Sequence, residues 1–208
     1  MKQKTIFIAL SSPAVFRNLF FFPQSFFERV KEYMRTHTEL RVIFLVPPQF
    51  REKYGAFLKT PELGDRIQYE IITVPSRKSF LQKMFYFLYS YLIFTGTTKI
   101  MATMGTRPDE PPAGGRWYLA PAKIVIARTL GRIRWLKTVL VQALHLKIFT
   151  ERPFQEIFTK YNPSVVFAPH LYGWFDTMLI AEAKRHGIKT VGMPAGWDHL
   201  DKYFLPFH

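Results

Sequence analysis

Short apolar runs, each closed by a proline or a polar loop, alternate with amphipathic helical patterns in the first part of this chain. The predicted strands cover residues 5–10, 40–46 and 67–74. Residues 16–36 and 50–58 lie between them and place apolar side chains at helical spacing, with a break expected at Pro23. Strands and helices in this order are typical of a parallel sheet built from right-handed crossovers. We therefore predict an α/β protein with a Rossmann-like parallel sheet flanked by helices.

The same alternation returns near the end of the chain. Residues 164–168 and 190–193 are predicted strands, and residues 174–186 are a predicted helix that Gly187 closes as a C-terminal cap. Between the two α/β stretches we predict a helical insertion of about residues 80–158, rich in aromatic and basic side chains. We expect residues 1–208 to form one domain interrupted by this insertion.

Two segments of the insertion bear on membrane contact. Residues 84–94 are nearly all apolar, but the lysines at 83 and 99 leave less than the roughly 20 residues that a membrane span needs. A core or interfacial helix is therefore expected there. After a Pro/Gly-rich loop at residues 107–116, residues 123–147 predict one basic amphipathic helix. Its apolar stripe could pack on the sheet or lie on a membrane surface.

Composition limits the kinds of partner and site. The net charge is +14, the sequence pI is about 10 and 17% of residues are aromatic. Such a chain attracts nucleic acid phosphates or an anionic membrane, and composition alone does not choose between them. The chain has no cysteine, which excludes disulfides and thiolate chemistry, and a cytoplasmic protein is the simplest interpretation.

Several sequence motifs that would indicate a bound cofactor are missing. The first strand is not followed by Gly-x-Gly-x-x-Gly, and the chain has no phosphate-binding Gly-x-x-x-x-Gly-Lys-[Ser/Thr] loop. His-Glu-x-x-His and Asp-x-Asp are also missing from the sequence. We therefore predict neither a dinucleotide cofactor nor a protein-bound metal ion.

Ligands of open parallel sheets bind beyond the carboxyl ends of the strands, which selects the candidate site residues. His170 directly follows a predicted strand and is a candidate general base, although it could instead hydrogen-bond loop backbone. Asp198 lies in the loop after the last strand and could be catalytic or form an Asx turn. Asp176 lies in the first turn of the following helix, where we expect a cap rather than a catalyst.

The last 45 residues carry a resemblance to a known group. The matching segments are Tyr-Asn-Pro-Ser-Val-Val-Phe-Ala at 161–168, Arg-His-Gly-Ile-Lys-Thr-Val at 185–191 and Gly-Trp-Asp at 196–198. They resemble the end of the N-terminal domain in bacterial GT-B-fold glycosyltransferase-like proteins, including relatives of glycerophosphotransferases that build surface polymers. In that group the loop reads Ser/Gly-Trp-Asp-Asn-Leu-Thr-Ser-Lys. This chain keeps Trp197, Asp198, Leu200 and Lys202 and departs at His199, Asp201 and Tyr203.

The resemblance implies a transferase of cell-envelope polysaccharide synthesis. The chain would be the acceptor-side half of a GT-B protein, and the half that binds the nucleotide-activated donor would be absent, so the chain alone is expected to be inactive. Transfer would be independent of metal, and the acceptor would be a glycan or a lipid-linked molecule. A peripheral position at the inner membrane face is expected, without specific nucleic acid binding. Alternatives are a nucleotide-sugar epimerase of the same fold and a non-catalytic membrane- or nucleic-acid-binding module.

The candidate site residues fall into two groups. His170 and Asp198 are the predicted catalytic residues. The predicted substrate-binding residues are Ser11, Ser12, Arg17, Tyr172, Gly196, Trp197, His199 and Lys202.

Overall fold

The computed structural model describes residues 3–22, 24–58, 61–75, 79–90, 92, 120–171 and 173–193. The strands are β1 (Lys4–Ala9), β2 (Leu40–Val46), β3 (Ile67–Ile71), β4 (Val165–Ala168) and β5 (Lys189–Gly192). The α-helices are α1 (Pro13–Phe20), α2 (Phe26–Thr36), α3 (Arg51–Leu58), α4 (Phe80–Ser90), α5 (Ala120–Thr129), α6 (Val141–Ile148), α7 (Gln155–Tyr161) and α8 (Trp174–Arg185).

The described residues fall into two compact units. The first, which we call the sheet unit, comprises described residues within 1–75 and 151–195. The second, the helical unit, comprises those within 76–150.

In the sheet unit the described strands form one parallel sheet in the order β3-β2-β1-β4-β5. Ile6 of β1 pairs with Val42 of β2 on one side and with Val165 of β4 on the other. The chain first builds outward from β1 through β2 to β3 and then returns to add β4 and β5 on the other side. This reversal creates a topological switch point between β1 and β4. The predicted Rossmann-like α/β fold is thereby confirmed.

Alternate residues of each strand point to opposite faces of the sheet, and both faces are covered. On one face Ile8, Val42 and Phe44 form a buried core with side chains of α1, α2 and α3. On the other face Phe7 of β1 makes edge-to-face contacts with Phe158 and Tyr161 of α7. Burial on both sides explains why the central strands read as nearly continuous apolar runs rather than as alternating patterns.

Most predicted elements of the sheet unit are confirmed with small shifts. The break expected near Pro23 separates α1 from α2, and Pro23 itself lies outside the described residues. The first helix begins at Pro13 because the hydroxyl of Ser12 accepts a hydrogen bond from the amide of Val15 at 3.3 Å. The third strand ends at Ile71 rather than at residue 74, although the amide of Ile72 still donates to Val46.

The helical unit corrects the prediction of one continuous helix over residues 123–147. The helix α5 ends at Thr129 and a 3₁₀ turn follows at Leu130–Arg132, before a π-helical segment at Leu136–Leu140 leads into α6. Gly131 in this turn is buried against the backbone of Leu92, where an added Cβ would lie 2.5 Å from the carbonyl oxygen. The helix breaks at a position where backbone approaches backbone, which a local apolar pattern does not reveal.

The apolar stripe predicted on that helix is not a buried face. Leu130, Ile133, Leu140 and Leu144 are exposed, whereas α6 buries Val141 and His145. The aromatic segment forms α4, whose Phe85 contacts His145 and Phe149. Within the described residues, no helix has the length and apolar character needed to cross a membrane. The predicted loop at residues 107–116 lies outside the described residues.

Candidate functional site

The candidate site lies at the carboxyl ends of β1 and β4, on either side of the switch point. The chain leaves β1 through Leu10, Ser11 and Ser12, and it leaves β4 through Pro169 and His170. Because β1 and β4 are neighbours in the sheet, the two loops emerge at the same edge. A crevice of this type is where open α/β sheets bind their ligands.

His170 and Asp176 are the titratable pair of this edge. The Nδ1 atom of His170 lies 3.8 Å from Oδ2 of Asp176, a distance too long for a hydrogen bond but within the range of an ion pair. The side chain of Asp176 is 0% exposed, while that of His170 is 21% exposed. The imidazole is therefore reachable from solvent, and the carboxylate lies behind it.

The environment of Asp176 opposes its ionisation. Burial raises the pKa of its carboxyl group above the ordinary value, and this effect outweighs the opposite influence of His170 and Ser11. Among the described residues, neither carboxylate oxygen receives a hydrogen bond of normal geometry. A buried carboxylate in this state is costly, which makes Asp176 a candidate functional group.

Ser11 and Ser12 have different roles. The hydroxyl of Ser12 caps α1, so its observed role is structural. The hydroxyl of Ser11 is buried, and no described group forms a hydrogen bond of normal geometry with it. Ser11 is nevertheless close enough to lower the pKa of Asp176. The predicted site thus brings together Ser11, His170 and a carboxylate that was not predicted to belong to it.

Gly173 makes the close approach of this pair feasible. A Cβ atom at this position would lie 2.8 Å from Oδ2 of Asp176 and 3.5 Å from Nδ1 of His170. Gly173 is also the N-cap residue of α8 and provides no side-chain cap. Asp176 lies in the first turn of α8, as predicted, and its own backbone amide opposes the rise in its pKa that burial causes, although neither carboxylate oxygen has a hydrogen bond of normal geometry.

Trp174, the first residue of α8, fixes the start of this helix. Its indole Nε1 donates a hydrogen bond of 2.7 Å to the carbonyl oxygen of Pro75, which follows the end of β3. The contact joins segments that are 99 residues apart in sequence. It holds the amino end of α8, and with it Asp176, at the carboxyl end of the strands.

Of the remaining predicted site residues, the structure describes one, and the others lie outside the described residues. Arg17 lies on α1, where it lines a cleft with Pro13 and Ala14. Tyr172, Gly196, Trp197, Asp198, His199 and Lys202 lie outside the described residues. Their assignment as catalytic or substrate-binding groups stays a prediction.

Sequence reasoning missed Gly173 and did not place Asp176 beside His170. The available signal was a histidine at a strand end, a glycine three positions later and, after another three, an aspartate among the apolar residues of a helix start. Within the described part of the chain, no group of three or more His, Asp or Glu side chains is arranged to hold a metal ion.

Fold and site together define an α/β protein with a histidine and a buried carboxylate at the switch point of a parallel sheet. Comparison with protein-family models, with curated proteins and with solved structures found no match.

Proposed function

We propose that this chain is the acceptor-binding part of a glycosyltransferase-like enzyme. The enzyme would transfer a sugar or a polyol phosphate from a nucleotide-activated donor to an envelope polysaccharide or a lipid-linked acceptor. The observation that carries the proposal is the pair at the switch point, in which the partly accessible imidazole of His170 lies in front of the buried carboxylate of Asp176. The resemblance of the C-terminal segments to GT-B proteins supports the same class of reaction.

In this proposal His170 is the general base. The acceptor oxygen bonds to the transferred carbon or phosphorus atom while the bond from that atom to the nucleotide breaks. The nucleotide leaves with the bonding electron pair, and the imidazole takes the proton of the acceptor hydroxyl. Asp176 lies behind the ring, 3.8 Å away, and its carboxylate form would stabilise the imidazolium as it develops. Asp198 stays a second candidate for this chemistry.

The proposal predicts that acceptor analogues bind beside His170. We expect a short glycerol phosphate oligomer or a neutral oligosaccharide to shift the His170 ring signals saturably in an NMR titration of the 208-residue chain. Asp176→Asn should weaken this binding by about tenfold, the usual worth of one interaction with a charged group. His37 precedes β2 at the opposite edge of the sheet, so its ring signals are an internal control.

Two results would count against the proposal. Acceptor analogues that leave the His170 signals unchanged would remove its basis. Conversion of a nucleotide sugar to its epimer by the 208-residue chain alone, without an acceptor, would favour the epimerase instead.

A second candidate function is peripheral binding to an anionic membrane, which a surface of the helical unit supports. Ile133, Trp135 and Val139 are exposed there, and the basic residues Arg134 and Lys137 are exposed among them. Exposed apolar side chains beside cations suit the interface of an anionic bilayer. Vesicle flotation tests this candidate independently of His170.

A further inference from the structure

A cleft of about 630 Å³ opens beside α1, in the sheet unit. Its described lining consists of Pro13, Ala14, Phe16, Arg17, Phe21 and Lys53. Pro13, Ala14, Arg17 and Phe21 recur at positions i, i+1, i+4 and i+8, which places them along one side of the helical turns. The volume is in the range of pockets that hold small-molecule ligands.

The apolar wall of this cleft is rigidly held. Phe16 stacks on Tyr54 of α3 with ring centroids 3.9 Å apart and planes 8° from parallel. Both rings are buried, and burial raises the pKa of Tyr54 to about 12. The stack joins α1 to α3 and thereby fixes Lys53, the neighbour of Tyr54, at the cleft.

The aromatic run at the end of α1 divides its side chains between core and cleft. Phe20 packs inward on Phe27 and Phe44. Phe21 is 57% exposed although it contacts the ring of Phe16. An aromatic side chain that lines a cleft and is half open to solvent offers apolar surface to a ligand.

The charges of the cleft are of one sign. Arg17 and Lys53 are exposed, and neither forms an ion pair or a side-chain hydrogen bond with the described residues. The described lining contains no carboxylate. The described lining thus combines apolar wall with two cations that lack a counter-ion.

We propose that this cleft binds a phosphate-bearing amphiphile, with the phosphate between Arg17 and Lys53 and the apolar chain along Phe16 and Phe21. Arginine and lysine are the usual phosphate-binding side chains, and the aromatic wall would cover a hydrocarbon chain. The cleft begins at Pro13, directly after Ser11 and Ser12 of the candidate site. The inference rests on the proposed function for one point, that the amphiphile is the lipid-linked acceptor.

Calorimetry on the 208-residue chain tests the cleft with decyl phosphate, decanol and inorganic phosphate as probes. We expect decyl phosphate to bind at least about tenfold more tightly than either other probe, since only it engages both the cations and the apolar wall. Arg17→Gln and Lys53→Gln should each weaken it by about tenfold, the worth of one charge-assisted contact. Phe21→Ala should weaken the binding of decyl phosphate and leave the affinity for inorganic phosphate unchanged.

Arg51→Gln is the matched control. Arg51 is exposed on the same helix as Lys53 but does not line the cleft, so its replacement should leave the affinity within about twofold. If Arg51→Gln weakens binding as much as Lys53→Gln does, decyl phosphate is attracted by the overall positive charge rather than by the cleft, and the proposed site is wrong. Equal affinities for decyl phosphate and inorganic phosphate would also overturn it. These substitutions are at exposed positions, and thermal unfolding verifies that each variant is folded.

The source of the amphiphile is decided with vesicles. Binding to neutral vesicles doped with a long-chain lipid phosphate, reduced by Lys53→Gln, identifies a membrane lipid as the ligand. Binding of decyl phosphate alone, without such vesicle binding, identifies a free phosphate ester. His37→Gln, at the opposite end of the strands, should leave both affinities unchanged. If decyl phosphate binds the cleft but acceptor analogues leave the His170 ring signals unchanged, the proposed function is refuted and the cleft proposal stands.

Discussion

At the residue scale, the notable feature is the buried carboxylate of Asp176. A charged group without hydrogen bonds in a protein interior destabilises the folded state, and proteins keep such groups mainly where function requires them. Burial raises the pKa of Asp176 despite the opposing influence of His170 and Ser11. The folded chain therefore holds the proton of this group more tightly than the unfolded chain does. Stability must fall as pH rises from the ordinary aspartate value through the raised one.

We predict that Asp176→Asn stabilises the protein near neutral pH. Asparagine requires neither a buried charge nor the uptake of a proton on folding, so the free energy of unfolding at about pH 7.5 should rise by about 1 kcal/mol or more. The gain should shrink toward the ordinary aspartate pKa of 3.8, where the wild-type group is already protonated in the folded state. Urea unfolding across this pH range measures the difference.

Asp65→Asn provides a control for this measurement. Asp65 is exposed, so its replacement should change stability by less than about 0.5 kcal/mol at any pH in this range. A less stable Asp176→Asn variant at neutral pH would mean that the carboxylate has a structural role.

His170 was predicted from the sequence as a candidate, whereas the role of Asp176 was not. A histidine directly after an apolar run is visible in the local pattern. The complete burial of a carboxylate depends on the elements packed around it, which are distant in the chain. The sequence predicted the helix-start position of Asp176, which the structure has, but not the burial of its carboxylate.

At the element scale, an ion pair joins the segment before α7 to the middle of α8. Nη2 of Arg152 lies 2.5 Å from Oε1 of Glu182, which is buried. His186 and Arg185 contact the same carboxylate at 2.9 and 3.5 Å. Burial by itself raises the pKa of Glu182, but the hydrogen bond and charge of Arg152, aided by His186 and Arg185, make the net shift downward. Several donors thus share one buried charge.

We predict that Arg152→Ala lowers the free energy of unfolding by about 1–2 kcal/mol. Removing one partner of a buried pair commonly costs about 3–5 kcal/mol, but here Arg185 and His186 remain. Arg152 is also 35% exposed, and solvent weakens its contribution. Urea denaturation measures the loss. Arg29→Ala breaks the exposed pair with Glu32 and should cost less than about 0.5 kcal/mol.

The same ion pair has a defined pH dependence. Because the pKa of Glu182 is lowered on folding, its stabilisation is present above the ordinary value of 4.5 and is lost as pH falls below it. Glu182→Gln should therefore flatten the acid limb of the stability profile. An unchanged acid limb in that variant would show that other carboxylates control acid unfolding.

Element prediction was accurate where one periodicity dominates. The strand β2 has the predicted bounds, because a seven-residue run that is apolar except for Arg41 ends at a pair of prolines. The prediction of one helix over residues 123–147 was wrong, because the apolar spacing stays helical while the backbone turns at Gly131. The carbonyl of Leu92 lies close to that glycine, and such a non-local contact has no local sequence signal.

At the scale of the whole molecule, the net charge of +14 coexists with exposed apolar side chains. Charge alone would attract any polyanion, whereas apolar insertion is specific to a bilayer. Trp135 is 60% exposed, and Val139 lies four residues further along the helical unit. Substitution of these two side chains therefore distinguishes membrane binding from nucleic acid binding.

We predict that the chain floats with anionic phosphatidylglycerol vesicles and not with neutral vesicles. The double substitution Trp135→Ser/Val139→Ser should lower vesicle affinity by about tenfold or more, since it removes two apolar side chains from the interface. Val191→Ser, at an equally exposed position in the sheet unit, should have no effect.

Measuring the binding to a DNA duplex distinguishes attraction by charge from insertion of apolar side chains into a bilayer. The double variant should keep wild-type affinity for the duplex, and salt should weaken this interaction steeply. A double variant that retains full vesicle affinity would refute membrane insertion by these residues.

The sequence alone determined the α/β class, the approximate positions of the strands and the residues that follow them. Both the apolar periodicity and the prolines, glycines and polar residues that end each element are local properties. The sequence thereby placed His170 and Ser11 after the carboxyl ends of β4 and β1. Only the tertiary structure decided which groups meet there. The burial of Asp176, the cleft between α1 and α3 and the Arg152–Glu182 pair all depend on segments far apart in sequence. Distances between such segments follow from packing the whole sheet, which no local pattern encodes.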